Sequence, residues 1–215
     1  MSAFENKIII QQLEAAFKGS LPGKTAHQKL AHPDRMAMLE LQQIQNARRG
    51  AVMIALSENK SGAILFPLIQ RSNYDGVHSG QIALPGGKFE KQDLKLSNTA
   101  IRETKEELGI TIYENQIVGE LSNLYIPPSN FLVNPFVSYS ATSHLHIKDE
   151  REVADVIEVN LDHLINEWHA KVRTTSLSNG KQVNLPSYEY KGHIIWGATA
   201  MILTEFKMLL TKKPS

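Results

Sequence analysis

The chain has no cysteine, which removes disulfides, thiolate metal sites and a cysteine nucleophile together. It has almost no net charge, +1 formally, so no overall field draws it to nucleic acid or to an anionic membrane. It also lacks long apolar runs: none approaches the roughly 20 residues of a membrane span. The opening MSAFENKIIIQQLEAAF has neither the apolar centre nor the small-residue cleavage site of a secretory signal. The closing TKKPS matches neither a prenylation nor a peroxisomal address. The expectation is a soluble cytoplasmic protein that partners neither nucleic acid nor membrane.

What is present is an ordinary globular composition in 215 residues, 42% hydrophobic and 21% charged, enough for one domain with embellishments. Residues 4–18 carry an apolar stripe at helical spacing (Ile9, Leu13, Ala16 and Phe17) that ends at Gly19. Residues 20–36 read as a loop in which His27 and His32 are incidental, and a short helix is expected over 36–47. Apolar runs at 51–56 and 63–70, separated by SENKSG, read as a hairpin, with Pro67 placing the second strand near an edge or bulge. Residues 71–80 read as a polar loop and 81–84 as a short strand. Further strands are expected at 117–125, 131–139, 153–159, 171–175 and 187–196, with helices at 161–168 and 198–210. Interspersed strands and helices make this an α/β layered chain. The division expected is an N-terminal helical extension over 1–50 and a domain over 51–215. A homodimer is an admissible assembly, since nothing shows whether the first helix packs on its own domain or on a partner.

One segment resembles a phosphate-binding loop and is rejected. Gly19-Ser-Leu-Pro-Gly23-Lys24-Thr25 has three residues between its glycines where four are needed, and it follows a helix instead of a strand.

The informative stretch is residues 85–110, PGGKFEKQDLKLSNTAIRETKEELGI. A helix over 94–108 puts Leu94, Ser97, Ile101, Thr104 and Leu108 on one face. Glu103, Glu106 and Glu107 then project roughly 150° away at about 100° per residue. Carboxylates so close repel one another and either stay in water or take a hard cation, for which Mg²⁺ is the natural candidate. Asp93 can cap the helix start and Gly109 can end it in a left-handed conformation. An isolated acidic run is most simply a solvated face with an Arg102–Glu106 surface pair. The preceding Pro85-Gly86-Gly87 argues otherwise, because glycines after an apolar strand permit a tight turn or close approach to a ligand.

Gly86-Gly87, Arg102-Glu103, Glu106-Glu107 and Gly109-Ile110 together resemble the signature of the Nudix hydrolases, G-x5-E-x7-R-E-U-x-E-E-x-G-U with U aliphatic. The second half fits except at Thr104, where an aliphatic residue is expected. The first half departs: counting back from Arg102, the signature expects glutamate at Leu94 and glycine at Lys88, whereas this chain has Asp93 and Gly87. That one-residue shift, with Asp for Glu, is similar to the coenzyme A pyrophosphatase branch. So are Leu68-Ile69-Gln70-Arg71-Ser72, the run from His78 to Gly87 with Leu84 for the usual Phe, Glu152-Val153, and Ile195 to Ala200. The resemblance covers about residues 51–203.

The resemblance implies a Nudix-type α/β/α sandwich with a mixed sheet and the N-terminal helical extension. It implies a pyrophosphatase in which Glu103, Glu106 and Glu107 hold Mg²⁺ or Mn²⁺ and Arg102 orients a carboxylate. Gly86, Gly87 and Lys88 would meet the phosphates, with Arg71 and His78 at the mouth of the site. Glu152 is the remote candidate for general base, although its ERE run is equally a solvated loop. The implied substrate is coenzyme A or an acyl derivative, cleaved to 3′,5′-ADP and a 4′-phosphopantetheine. ADP-ribose or another nucleoside diphosphate derivative, and a nucleotide sensor without turnover, are the alternatives.

Overall fold

A computed structural model describes residues 3–32, 46–72, 79–176, 180 and 182–212. The helix expected over 36–47 and His78 therefore fall largely or wholly outside the described residues. In chain order the elements are α1 (Ala3–Phe17), α2 (Gly23–Gln28), β1 (Arg48–Glu58), β2 (Ile64–Arg71), β3 (Ile82–Ala83), β4 (Gly86–Lys88) and α3 (Leu96–Leu108). Then follow β5 (Ile117–Glu120), β6 (Leu124–Ile126), β7 (Phe131–Ser140), β8 (Val153–Asn160), α4 (Leu161–Asn166), β9 (Lys171–Ser176), β10 (Gln182–Tyr190), β11 (His193–Trp196) and α5 (Gly197–Leu210).

β1 is the axis of the main sheet. Its alternation sends Ala51, Met53 and Ala55 into one apolar cluster and Val52, Ile54 and Leu56 into the other, as a two-residue period requires. Both rows are apolar because both faces are covered. β1 pairs parallel with β7 from Arg48↔Phe131 to Ser57↔Ser140. Its other edge takes β4 over its first half and β2 only at Ser57 and Glu58. β2 then runs on beside β8 and, near its end, β3. Pro67 sits between the two stretches of β2 paired by β1 and by β3, a position that asks little of a missing N–H.

The strand expected over 117–125 is two strands, both antiparallel to β7. Between them Leu121 N–H bonds Pro135 O at 2.9 Å, and Ser122 N–H turns away to the Glu205 carboxylate. The strand expected over 187–196 is likewise a hairpin, β10 and β11, turned at Lys191 and Gly192, both at positive φ. With β9 these form a second, antiparallel sheet. Its Tyr188 and Tyr190 stack on Trp168 at 5.2 and 5.6 Å.

Helix α3 covers one face of the main sheet through Ala100 and Leu108, joined by Ile110 and Ile112. The opposite face packs on α1, α4 and α5 through Ile10, Leu13, Leu161, Met201 and Phe206. The result is an α/β/α sandwich with a mixed sheet. α1 lies on its own chain, and the ring of Phe17 rests on Gly119, where a Cβ would come within 2.3 Å of it.

Residues 20–32, the described part of the stretch expected as a loop over 20–36, are not a simple loop. Gly23-Lys24-Thr25 opens α2, and the group its first amide meets is the buried carboxylate of Glu205, 3.1 Å away. His27 is buried and bonds the other oxygen of Glu205 at 2.8 Å, so it is a structural residue and not an incidental one. Burial pushes the Glu205 carboxyl up, but the bonds from His27 and Ser122 outweigh it and hold it below its usual range. Among the described residues no helix is long and apolar enough to cross a membrane.

Candidate active site

Helix α3 begins at Leu96, two residues later than its periodicity suggests. Lys95 is its N-cap and makes no side-chain cap bond. Leu94 is excluded from the apolar face: it is 84% exposed and has φ +64°. The helix ends as expected, with Gly109 at φ +68° and its N–H on Lys105 O at 2.9 Å. Thr104, in place of an aliphatic residue, is fully buried because its hydroxyl bonds back to Ala100 O at 2.7 Å.

Glu103, Glu106 and Glu107 do not share one solvated face. Glu107 is buried, and one of its oxygens accepts the Gly86 N–H at 2.8 Å. Burial, reinforced by the charges of Glu103 and Glu152, pushes its carboxyl up to about 8, against the Gly86 bond and the nearby charge of Arg71. Glu103 is half-buried and is also raised, first by burial and then by Glu106 and Glu152, with Arg102 opposing. Glu106 stays exposed.

Gly86-Gly87 is a short strand rather than a turn. Gly86, at φ +151°, lies so close to β1 that a Cβ would come within 2.3 Å of Ala51 O. At Gly87 a Cβ would meet the Glu103 carboxylate at 2.4–2.6 Å, so the missing side chain is the seat of that carboxylate. Lys88 follows, exposed. Its carbonyl accepts from Arg102 at 3.0 Å.

Arg102 uses all five N–H groups. Its Nε and Nη2 hold the two Asp93 oxygens at 2.8 and 3.1 Å, and Nη2 also holds Lys88 O. Its Nη1 bonds Glu103 and Glu106, each at 2.9 Å. Asp93 does not cap α3. Its buried carboxylate also accepts from Thr99 Oγ1 and Glu90 N–H, and the Arg102 bonds above all hold it down at about 2 despite burial. The bond to Asp93 chiefly raises Arg102 in turn.

Glu152 is exposed on the loop before β8, and its charge reaches both Glu103 and Glu107. Two backbone bonds dock this loop on the free carbonyls at the end of α3: Ile147 N–H to Leu108 O at 2.8 Å and Asp149 N–H to Glu107 O at 3.0 Å. Ile147 also fills the space over Gly109, where a Cβ would meet it at 2.9 Å. Ser72 N–H bonds Glu152 O at 2.9 Å, tying the loop to the end of β2 beside Arg71. The structure thus brings Glu103, Glu106, Glu107, Arg102, Glu152, Arg71, Gly86 and Gly87 to one region, with Lys88 contributing its carbonyl. Sequence reasoning did not find Thr99, Ile147 or Asp149, which act through contacts no local pattern encodes.

The donor set suits a hard divalent cation: it is all carboxylate oxygen, and buried Glu107 keeps one oxygen without a hydrogen bond among the described residues. As the side chains stand, no three His, Cys, Asp or Glu groups of the described residues converge as metal ligands. Arg102 draws Glu103 and Glu106 to itself while Gly86 holds Glu107.

Residues 47–176 match the NUDIX domain family. Among curated proteins the chain is 29% identical over 161 residues to the human protein named mitochondrial coenzyme A diphosphatase NUDT8, covering 74% of this chain and 68% of that one. It is 31% identical over 181 residues to Nudix hydrolase NudL of Pectobacterium atrosepticum, covering 81% and 88%. The fold resembles the crystal structure of a MutT/nudix family protein from Enterococcus faecalis, with a TM-score of 0.55 at 18% identity over 87% of this chain and 72% of that one.

Proposed function

The chain belongs to the Nudix hydrolases, enzymes that cleave small-molecule diphosphates and generally use divalent metal ions, and on that premise we propose that it hydrolyses coenzyme A or acyl-coenzyme A. Water adds across the diphosphate P–O–P bond. One phosphorus gains the hydroxyl, the bridging oxygen leaves with the other, and the products are 3′,5′-ADP and (acyl-)4′-phosphopantetheine.

The observation that carries the chemistry is the pairing of Glu103 and Glu107 with the two glycines of β4, which sets a partly desolvated acidic cluster against bare backbone. Glu103, Glu106 and Glu107 would hold Mg²⁺ or Mn²⁺, which when bound would neutralise the diphosphate and make water a better nucleophile. Arg102 keeps Glu103 and Glu106 oriented from the side opposite Asp93. Glu152 takes the proton of the attacking water in this reading, a role supported by its solvent exposure and by the docking of its loop on α3 beside Glu103 and Glu107. Arg71, at the end of β2, offers a positive charge to a phosphate. The coenzyme A assignment is supported by the upstream run around Arg71 and Pro85 and by the similarity to a protein named coenzyme A diphosphatase.

The test is incubation with Mg²⁺ or Mn²⁺ and coenzyme A, acyl-coenzyme A, ADP-ribose, NADH or dinucleoside polyphosphates, with products identified by mass spectrometry. Release of 3′,5′-ADP is expected. Cleavage of ADP-ribose with none of coenzyme A overturns the substrate, and tight nucleotide binding without turnover overturns the activity.

A further inference from the structure

Leu94 opens the stretch between Asp93 and Arg102, which is one residue longer than the family spacing, and among the described residues of the site it is the one non-glycine at positive φ. Its φ of +64° and ψ of −38°, with Lys95 N–H on Asp93 O at 2.7 Å, define a three-residue γ-turn of the rare positive-φ kind. A leucine gains nothing locally from this conformation. Its side chain is 84% exposed, so no packing offsets the strain.

What the turn achieves lies one residue back. It reverses the chain between β4 and α3 so that Asp93 drops beneath the helix, 5% exposed. There its carboxylate takes Arg102, Thr99 and the Glu90 N–H, and its carbonyl takes Lys95 N–H and Asn98 Nδ2. Arg102 has no spare N–H, so any shift of Asp93 is passed to Glu103 and Glu106 through the same guanidinium.

We propose that the turn at Leu94 is a positioning device that sets the reach of the short Asp93 carboxylate to Arg102, and through Arg102 the placing of Glu103 and Glu106 for a divalent cation. Leu94 touches no reacting atom. The inference rests on the metal-dependent hydrolase reading, but it also has a readout that needs no turnover.

Leu94→Pro fixes φ near −65° and forbids the turn; besides an exposed side chain it removes the Leu94 N–H, whose bond to Lys91 O is long at 3.4 Å. It is expected to weaken Mn²⁺ binding, read from the electron paramagnetic resonance of free Mn²⁺, at least tenfold. It is also expected to lower kcat at least tenfold with KM within threefold. Asp93→Glu in the intact turn overshoots and also weakens Mn²⁺ binding. In Leu94→Pro the same change restores reach, recovering at least threefold of the lost Mn²⁺ affinity and kcat. A folded Leu94→Pro protein with Mn²⁺ affinity and kcat within twofold of wild type overturns the proposal, as does a double variant no better than Leu94→Pro. If Leu94→Pro does not fold, Leu94→Val, whose branched side chain disfavours positive φ, must show a smaller loss in the same direction, and no loss overturns the proposal. Should the wild type cleave no diphosphate, the functional reading fails, while the order of Mn²⁺ affinities still decides the role of the turn.

Discussion

Gly87→Ala separates catalysis from stability. An added Cβ would lie 2.4, 2.5 and 2.6 Å from three carboxylate atoms of Glu103. Ordinary carbon contacts begin near 3.5 Å, so the carboxylate must retreat by about 1 Å. That retreat also strains its 2.9 Å bond to Arg102. A displacement of that size at a reacting centre costs about 100-fold in rate, or about 2.7 kcal/mol. Gly87 does not have positive φ, so alanine fits the backbone, and the smaller entropy of its unfolded chain contributes about 0.4–1 kcal/mol in its favour. The expectation is a kcat about 100-fold lower at saturating Mg²⁺ and coenzyme A, with a melting temperature in EDTA within about 2 °C of wild type. A kcat within twofold of wild type would refute the idea that Glu103 works from this seat. Gly86→Ala is the contrast: its Cβ would strike backbone atoms of Ala51 and Val52 at 2.3 and 2.6 Å from a φ of +151°. It should lower the melting temperature sharply.

Glu107→Gln keeps an acceptor for the Gly86 N–H and removes a carboxyl that burial raises to about 8. It should abolish turnover, and because the wild-type group loses stability as pH rises from its unfolded value near 4.5 through about 8, the variant should melt higher than wild type at pH 8 in EDTA; a lower melting temperature there would contradict the burial cost. His27→Ala should lower stability at neutral pH by about 1–3 kcal/mol, since it leaves a buried Glu205 oxygen without its bond to His27. The depressed Glu205 carboxyl contributes stability that is present above its unfolded value near 4.5 and lost as pH falls through its folded value. Without His27, burial dominates and raises the folded carboxyl, so the stability deficit of the variant, read by denaturant unfolding monitored by circular dichroism, should be largest at neutral pH and shrink as pH falls below about 4.5. A deficit independent of pH would remove Glu205 from the account.

Much of the layered fold was legible because β1, β2, β7 and β8 are apolar runs of the right length between polar turns, and α3 and α5 carry clear helical spacing. The breaks were not legible. Nothing local says that Ser122 turns to Glu205, or that Lys191-Gly192 takes two positive φ values instead of extending the strand. At the site, residue types and spacing indicated which carboxylates gather there, but helical angles alone put Glu107 in solvent. Its burial comes from the approach of Gly86, a tertiary event. The shift from Leu94 to Asp93 was visible as a count, whereas its cause, a γ-turn, was not.

The ten-residue parallel pairing of β1 with β7 also bears on how the chain acquires its structure. β1 can form its hairpin with β2 early, and α3 is local, but the central partner of β1 is not made until residues 131–140 have left the ribosome. Parallel pairing of distant strands is slow, because the closure entropy of the intervening chain is lost before the contacts form. Until then the apolar edge of β1 stands open to other chains. Synthesis that pauses within the carboxylate helix therefore leaves an aggregation-prone nascent chain, and refolding from denaturant should be limited by β7 docking and not by the helix that carries the chemistry.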